Sequence, residues 1–197
     1  AYISINLGGY VVIGGSQKAL NILLKKLPAI DDFPFQIPFH AAFHTPLMRE
    51  VSKIAMKKIP LSYFEQPKIP LINGQGQIYM PHSADKNELR NYTLTSQVLS
   101  FYDFTASIEV ALKEFCPDNI VLLGPGNTLG GSIGQILIKN NWLNIKSKEG
   151  FIQLQKQKPF LISMGDKNGL KQAIYVALGG AIVTSSNSLK DMLISLF

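Results

Sequence analysis

The stretch NIVLLGPGNTLGGSIGQILIKN, residues 119–140, decides how the chain folds. Its opening, NIVLLG, is mostly apolar and has the length of a buried strand. A turn of Gly, Pro and Asn follows, and then small and apolar residues at helical spacing. Strand, loop, helix is the building block of an α/β sheet protein. Within the unit, GGSIG at 130–134 spells G-x-S-x-G, the pattern of a nucleophile elbow. An elbow needs the strand to run directly into the serine. Here PGNTLG (125–130) comes between the strand and GSIG. Ser132 is therefore expected inside the helix, on a small-residue face packed closely on the sheet.

Outward from this unit the alternation recurs. YVVIGG (10–15) is a short apolar strand with a tight glycine turn. Ser16 then caps a helix, QKALNILLKKL, with Leu20, Leu23, Leu24 and Leu27 on one face. FPFQIPF (33–39) is extended, since each proline disfavours helix in the residue before it. AAFHT (41–45) is a turn, and Thr45 as N-cap with Pro46 at the first helical position starts the helix LMREVSKIAMKKI. Met48, Val51, Ile54 and Ala55 should form its apolar stripe, and Arg49, Lys53 and Lys57 a basic one. KIPLING (68–74) is a strand ending in a turn, and residues 83–99 are a helix capped by Ser83, with a second start near Thr95. YDFTASIEVALKEF (102–115) is an amphipathic helix. Past residue 140, FIQLQ and PFLISM are expected as strands, and GLKQAIYVAL and LKDMLISLF as helices.

The chain has 197 residues, 46% hydrophobic and 16% charged, which suits a globular domain with a real core and excludes a disordered segment. Net charge is +6, nearly all from lysine. That charge is either a composition bias or an attraction to acidic partners. The one cysteine, Cys116, excludes an internal disulfide and a CxxC metal site, and it is expected as a packed thiol where a helix meets a strand. A reducing, cytoplasmic setting follows by default. No apolar run reaches a membrane span, and no signal peptide is visible. Beginning at Ala1 in a strand-like run, the chain reads as the interior of a longer polypeptide.

Three histidines are candidates for chemistry. His44 lies one residue before the N-cap, where the positive end of a helix dipole favours an uncharged ring. A neutral imidazole accepts a proton, as a general base must. His40 is read as a strand-end residue and His82 as a surface loop residue. Without clustered carboxylates or cysteines, three histidines make no metal site. GGS at 14–16 is a turn rather than a dinucleotide fingerprint, since it lacks the remaining glycine and a following acid.

The segment AAFHTPLM (41–48) resembles the histidine motif of the malonyl-CoA:acyl-carrier-protein transacylases and of the acyltransferase domains of polyketide and fatty acid synthases. SINLGGYVVIGG (4–15) is similar to the family's N-x-N-S-P-x-Q-x-V-I-S-G segment, with Ser4 and Tyr10 in place of its first Asn and its Gln. LTSQVLSFYDFTASIE (94–109) is similar to Q-L-x-x-P-V-x-W-x-x-S-V-E, and VLLGPGNTLGG (121–131) to E-x-G-P-G-x-x-L. The four likenesses come in the family's order and cover residues 3 to about 140.

The resemblance implies a parallel-sheet, hydrolase-like acyltransferase core, present in part, with the end of a small ferredoxin-like lobe. Residues 1–38 would be that lobe, 39–140 the core with the catalytic histidine, and 141–197 an extension of unknown role. It implies His44 as general base and Gln97 as the residue whose backbone carbonyl holds its other ring nitrogen. Asn6 and Phe43 would contact substrate, Phe43 by the malonyl-type "AFH" pattern. The family's G-H-S-x-G elbow lies upstream of the VVIGG strand and is absent from this chain, so a preceding segment would bring the serine. The expected reaction is acyl transfer, malonyl by preference, from CoA to the phosphopantetheine thiol of an acyl carrier protein. No cofactor, metal, nucleic acid or membrane is called for. Two alternatives stay open: a non-catalytic module of the same fold that binds a carrier or synthase partner, and a hydrolase that uses Ser132.

Overall fold

The computed structural model describes residues 1–124 and 126–177, and these form a mixed α/β chain of helices and three small sheets. The described chain divides into two compact units. The first holds residues 1–117 and 131–148; the second holds 118–130 and the residues from 149 on. The expected helix LKDMLISLF lies outside the described residues.

In the first unit, β1 (Tyr2–Leu7) pairs antiparallel with β2 (Tyr10–Gly14) and parallel with β5 (Tyr102–Asp103), giving the order β2-β1-β5. Gly8 and Gly9 make the hairpin turn, both at positive φ (56° and 97°), which glycine adopts without steric cost. Gly8 has a second constraint. A Cβ there would stand 2.2 Å from the Ser132 carbonyl oxygen, so α6 (Gly130–Lys139) lies against the turn. Ile133, Ile136 and Leu137 of α6 and Leu112 of α5 (Phe104–Phe115) are the most buried apolar side chains. At the end of α6, Lys139 and Asn140 both reach Glu109 of α5, and these contacts, Asn140 above all, hold that carboxyl below its ordinary range.

Ser16 caps α1 (Gln17–Lys26) by accepting the Ala19 N–H, as expected, but α1 buries none of its residues. Thr45 caps a 3-10 turn, Pro46–Met48, which runs into α2 (Arg49–Lys58). The expected apolar stripe of α2 splits in two. Met48 is buried, whereas Val51 and Ile54 are exposed, and the buried neighbour is instead Ser52, whose hydroxyl donates to the Leu94 carbonyl at 2.7 Å.

KIPLING contributes only the two-residue strand β3 (Leu71–Ile72), paired with β4 (Ile78–Tyr79), which its sequence does not announce. Asn73 closes the hairpin by accepting the N–H groups of Gln75 and Gln77. The helix expected over 83–99 is three pieces in series: α3 (Lys86–Asn91), a π-helical turn (Tyr92–Ser96) and α4 (Gln97–Leu99). Its cap is Asp85 rather than Ser83. The Asp85 carboxylate accepts the N–H groups of Asn87 and Glu88, and the two bonds lower its pKa. Arg90 caps the far end of α2, donating to the carbonyls of Ile59 (2.9 Å) and Met56 (2.5 Å). Cys116 is a correction. It is the C-cap of α5, in the left-handed region (φ 43°) with its N–H on the Leu112 carbonyl, and as a helix-ending residue it is exposed rather than packed.

In the second unit, β6 (Ile120–Leu122) and β7 (Leu161–Ser163) pair in parallel. FIQLQ, expected as a strand, lies in α7 (Lys148–Gln157), where Phe151, Leu154 and Gln155 share its less exposed face. Gln155 accepts the N–H groups of Phe160 and Leu161 and donates to the Leu161 carbonyl, so one amide ties α7 to the start of β7. PFLISM supplies β7, and GLKQAIYVAL falls in α8 (Lys167–Ala177) as far as the described residues reach. No helix among the described residues is long and apolar enough to cross a membrane.

Candidate active site at His44

The last carbonyls of a helix have no intrahelical partner. In helix 86–99 the closing bond runs from Ser100 N–H to the Ser96 carbonyl, which leaves the carbonyls of Gln97 and Val98 open. His44 takes both. Its backbone N–H donates to Val98 at 2.9 Å, and its ring Nδ1 lies 2.5 Å from the Gln97 oxygen. A carbonyl only accepts, so Nδ1 carries the hydrogen, and in the neutral ring Nε2 holds the free lone pair. Nε2 has no hydrogen-bond partner among the described residues.

The turn that presents the ring is braced from three sides. His44 sits at φ 59°, in the left-handed region that histidine tolerates better than most side chains. Thr45 is fully buried and its hydroxyl donates to the Ala42 carbonyl at 2.6 Å. From β1, Ser4 donates to the Phe43 carbonyl at 2.8 Å. On the remaining side the Tyr102 ring is tilted 52° to the imidazole at a centroid distance of 5.1 Å. The His44 ring is thus fixed by β1, β5, α4 and the 3-10 turn that leads into α2.

Of the residues singled out in the sequence, His44 and Gln97 meet. Phe43 is 45% exposed beside them, with its ring centroid 6.5 Å from that of His44. Asn6 is occupied elsewhere: its amide donates to Asp103, the residue that caps α5. His40 is exposed, with Nδ1 at 3.0 Å from the Pro38 carbonyl, and His82 is exposed on its loop. Ser132 is 3% exposed within α6, so a hydrolase built on it has no accessible hydroxyl. No three His, Cys, Asp or Glu among the described residues cluster closely enough to hold a metal ion.

Tyr102, Val98 and Ser4 complete the site without having been identified as functional in the sequence. Only Ser4 left a signal, as the hydroxyl residue standing where the resembled family has asparagine. A broad open groove of about 890 Å3 lies along the β3–β4 hairpin and helix 86–99, lined by Gln77, Tyr79, Tyr92, Ser96 and Phe101 among others. Neither His44 nor Gln97 lines it.

No family model, curated protein or solved structure matches the chain.

Proposed function

We propose that this chain is the histidine-bearing part of an acyltransferase of the malonyl-CoA:acyl-carrier-protein type, with a hydrolase-like core completed by another polypeptide segment. The single observation that carries the reading is His44, with Nδ1 tied to a main-chain oxygen and Nε2 open. That arrangement suits a base whose partner hydroxyl comes from outside the described residues. A carbonyl here does the orienting that a carboxylate does in a Ser-His-Asp triad.

In the first half-reaction His44 Nε2 takes the proton of the incoming serine hydroxyl as its oxygen attacks the thioester carbon. The tetrahedral intermediate collapses, the carbon–sulfur bond breaks, and the CoA thiolate leaves with the proton from His44. In the second half the carrier's phosphopantetheine thiol gives its proton to His44 and attacks the acyl-serine ester. The serine oxygen leaves and recovers the proton. Phe43, beside the ring, narrows the space at the acyl α-carbon and favours malonyl over its methyl-branched analogue, a discrimination of about 1–3 kcal/mol.

A second polypeptide segment is supported by the surface of α2. On the inner side, Ser52 of α2 and Met48 of the 3-10 turn before it are buried. On the outer side Leu47 of that turn and Val51 and Ile54 of α2 are 50%, 46% and 54% exposed and spaced i, i+4, i+7. An apolar stripe left exposed in this way is a surface suited to packing against a further layer. The outer stripe begins three residues after His44, where a serine-bearing segment must approach.

The test is incubation with malonyl-CoA, followed by mass spectrometry for an acyl adduct. The chain alone should form none. Together with the native polypeptide that precedes it, an adduct should form on a serine of that polypeptide and transfer to carrier. An adduct on Ser132 of the isolated chain sinks the proposal.

A further inference from the structure

Gln97 is placed by an irregularity in its helix. The Gln97 N–H reaches back five residues to the Tyr92 carbonyl, which makes residues Tyr92–Ser96 a π turn. A π turn holds one residue more than an α turn, so everything after it is rotated by one residue's step about the axis, roughly 100°. The carbonyls of Gln97 and Val98 follow directly. Without the extra residue they would face a different side of the helix, and His44 would lose both partners.

The turn is held from two directions. The Tyr92 hydroxyl accepts the Gly74 N–H at 2.6 Å, and burial raises this phenol above its ordinary range. The Leu94 carbonyl accepts the buried Ser52 hydroxyl at 2.7 Å. Ser52 lies on α2, which continues the 3-10 turn Pro46–Met48 capped by Thr45, the residue after His44. One hydrogen bond therefore links the element that carries the imidazole to the element that carries its orienting carbonyls.

We propose that the π turn Tyr92–Ser96 is the device that aims the Gln97 carbonyl at His44, with Ser52 and Tyr92 as its positioning residues. Its purpose rests on His44 being the base, but its geometry does not, so the two can fail separately.

The test uses the whole chain and needs no substrate. The readout is the His44 Nδ1 proton in a nitrogen-labelled sample, by its downfield resonance and its exchange with water. Thr93 is exposed within the turn. Thr93→Ala keeps the residue count and should keep the resonance. Deleting Thr93 removes the extra residue and should abolish the resonance while the amide spectrum of β1, β2 and α6 is preserved. If the deletion prevents folding, Ser52→Ala decides. It should speed exchange of the Nδ1 proton about tenfold, the factor expected for one hydrogen bond of ordinary strength. A folded deletion variant that retains the resonance, or Ser52→Ala exchange equal to wild type, overturns the proposal. Loss of acyl transfer in His44→Gln with the π turn intact bears on the base alone.

Discussion

His44 gives one ring nitrogen to the Gln97 carbonyl and leaves the other without a partner among the described residues, and each half makes its own prediction. Since Gln97 acts through its carbonyl, the side chain is dispensable to the contact. Gln97→Ala should leave the His44 Nδ1 proton resonance in place, whereas a side-chain role for Gln97 predicts its loss. His44→Gln keeps a polar group of similar reach but no base. In the reaction reconstituted with the serine-bearing segment, it should lower kcat by about 10²–10⁴-fold with little change in the KM for malonyl-CoA. A drop below tenfold would remove His44 from the mechanism. Part of this site was legible in the sequence, because the Thr45-Pro46 helix start fixes where His44 must sit. The meeting with Gln97 was legible only through the resemblance, since 53 residues separate the pair and no local rule brings them together. Tyr102 reaches the ring through the pairing of β5 with β1, a tertiary fact.

Elements that bury a long periodic face were readable, and those set by a few hydrogen bonds were not. α6 follows its apolar spacing, burying Ile133, Ile136 and Leu137. α5 forms from Phe104 on, although Tyr102–Asp103, expected in the same helix, pair as strand β5, and two of the three residues α5 buries are Thr105 and Ser107. β4 has two residues, too few for any alternation to register, and the π turn depends on one register choice that helix propensity does not encode. FIQLQ is a short apolar run that suits either period, and burial against one face settled it as helix. The packing of α6 on the β1–β2 turn carries a sharp prediction. Gly8→Ala puts a methyl 2.2 Å from the Ser132 carbonyl at a φ of 56°. Backbone strain plus overpacking should cost about 2–4 kcal/mol, read as a lower urea midpoint. A loss under about 0.5 kcal/mol would mean the turn and helix part easily. The cap of α3 predicts a pH dependence. Two backbone N–H bonds depress the Asp85 pKa in the folded chain. The cap's contribution is then fully present above the ordinary carboxylate range, about pH 4, and fades as pH falls through the lowered folded value. Urea midpoints at pH 5 and pH 3 should drop further for wild type than for Asp85→Asn, which cannot titrate. Equal drops would show that the cap carries no linked proton.

Net charge of +6 belongs to the whole molecule, yet α2 concentrates part of it beside the site. Arg49, Lys53 and Lys57 line one side of that helix, all exposed. Lys53 is already matched by Glu50 at 2.8 Å, so the stripe's free field comes from Arg49 and Lys57. An acyl carrier protein presenting carboxylates would meet these two charges as its prosthetic thiol approaches His44. Exposed pairs of this kind contribute up to about 1 kcal/mol each and steer encounter more than they tighten the final complex. Arg49→Glu with Lys57→Glu should therefore raise the apparent carrier KM about tenfold at low salt and leave kcat and the malonyl-CoA KM unchanged. The effect should shrink sharply between about 0.05 and about 0.5 M salt, as the screening length falls from about 14 Å to about 4 Å. The same titration on Lys18→Glu with Lys25→Glu, reversed on α1, controls for net charge alone. If the α1 variant moves the carrier KM as far as the α2 variant, the field of the whole molecule does the steering and α2 is no dedicated docking face. If neither moves it, acidic carriers do not approach by charge, and the lysine excess is a matter of composition.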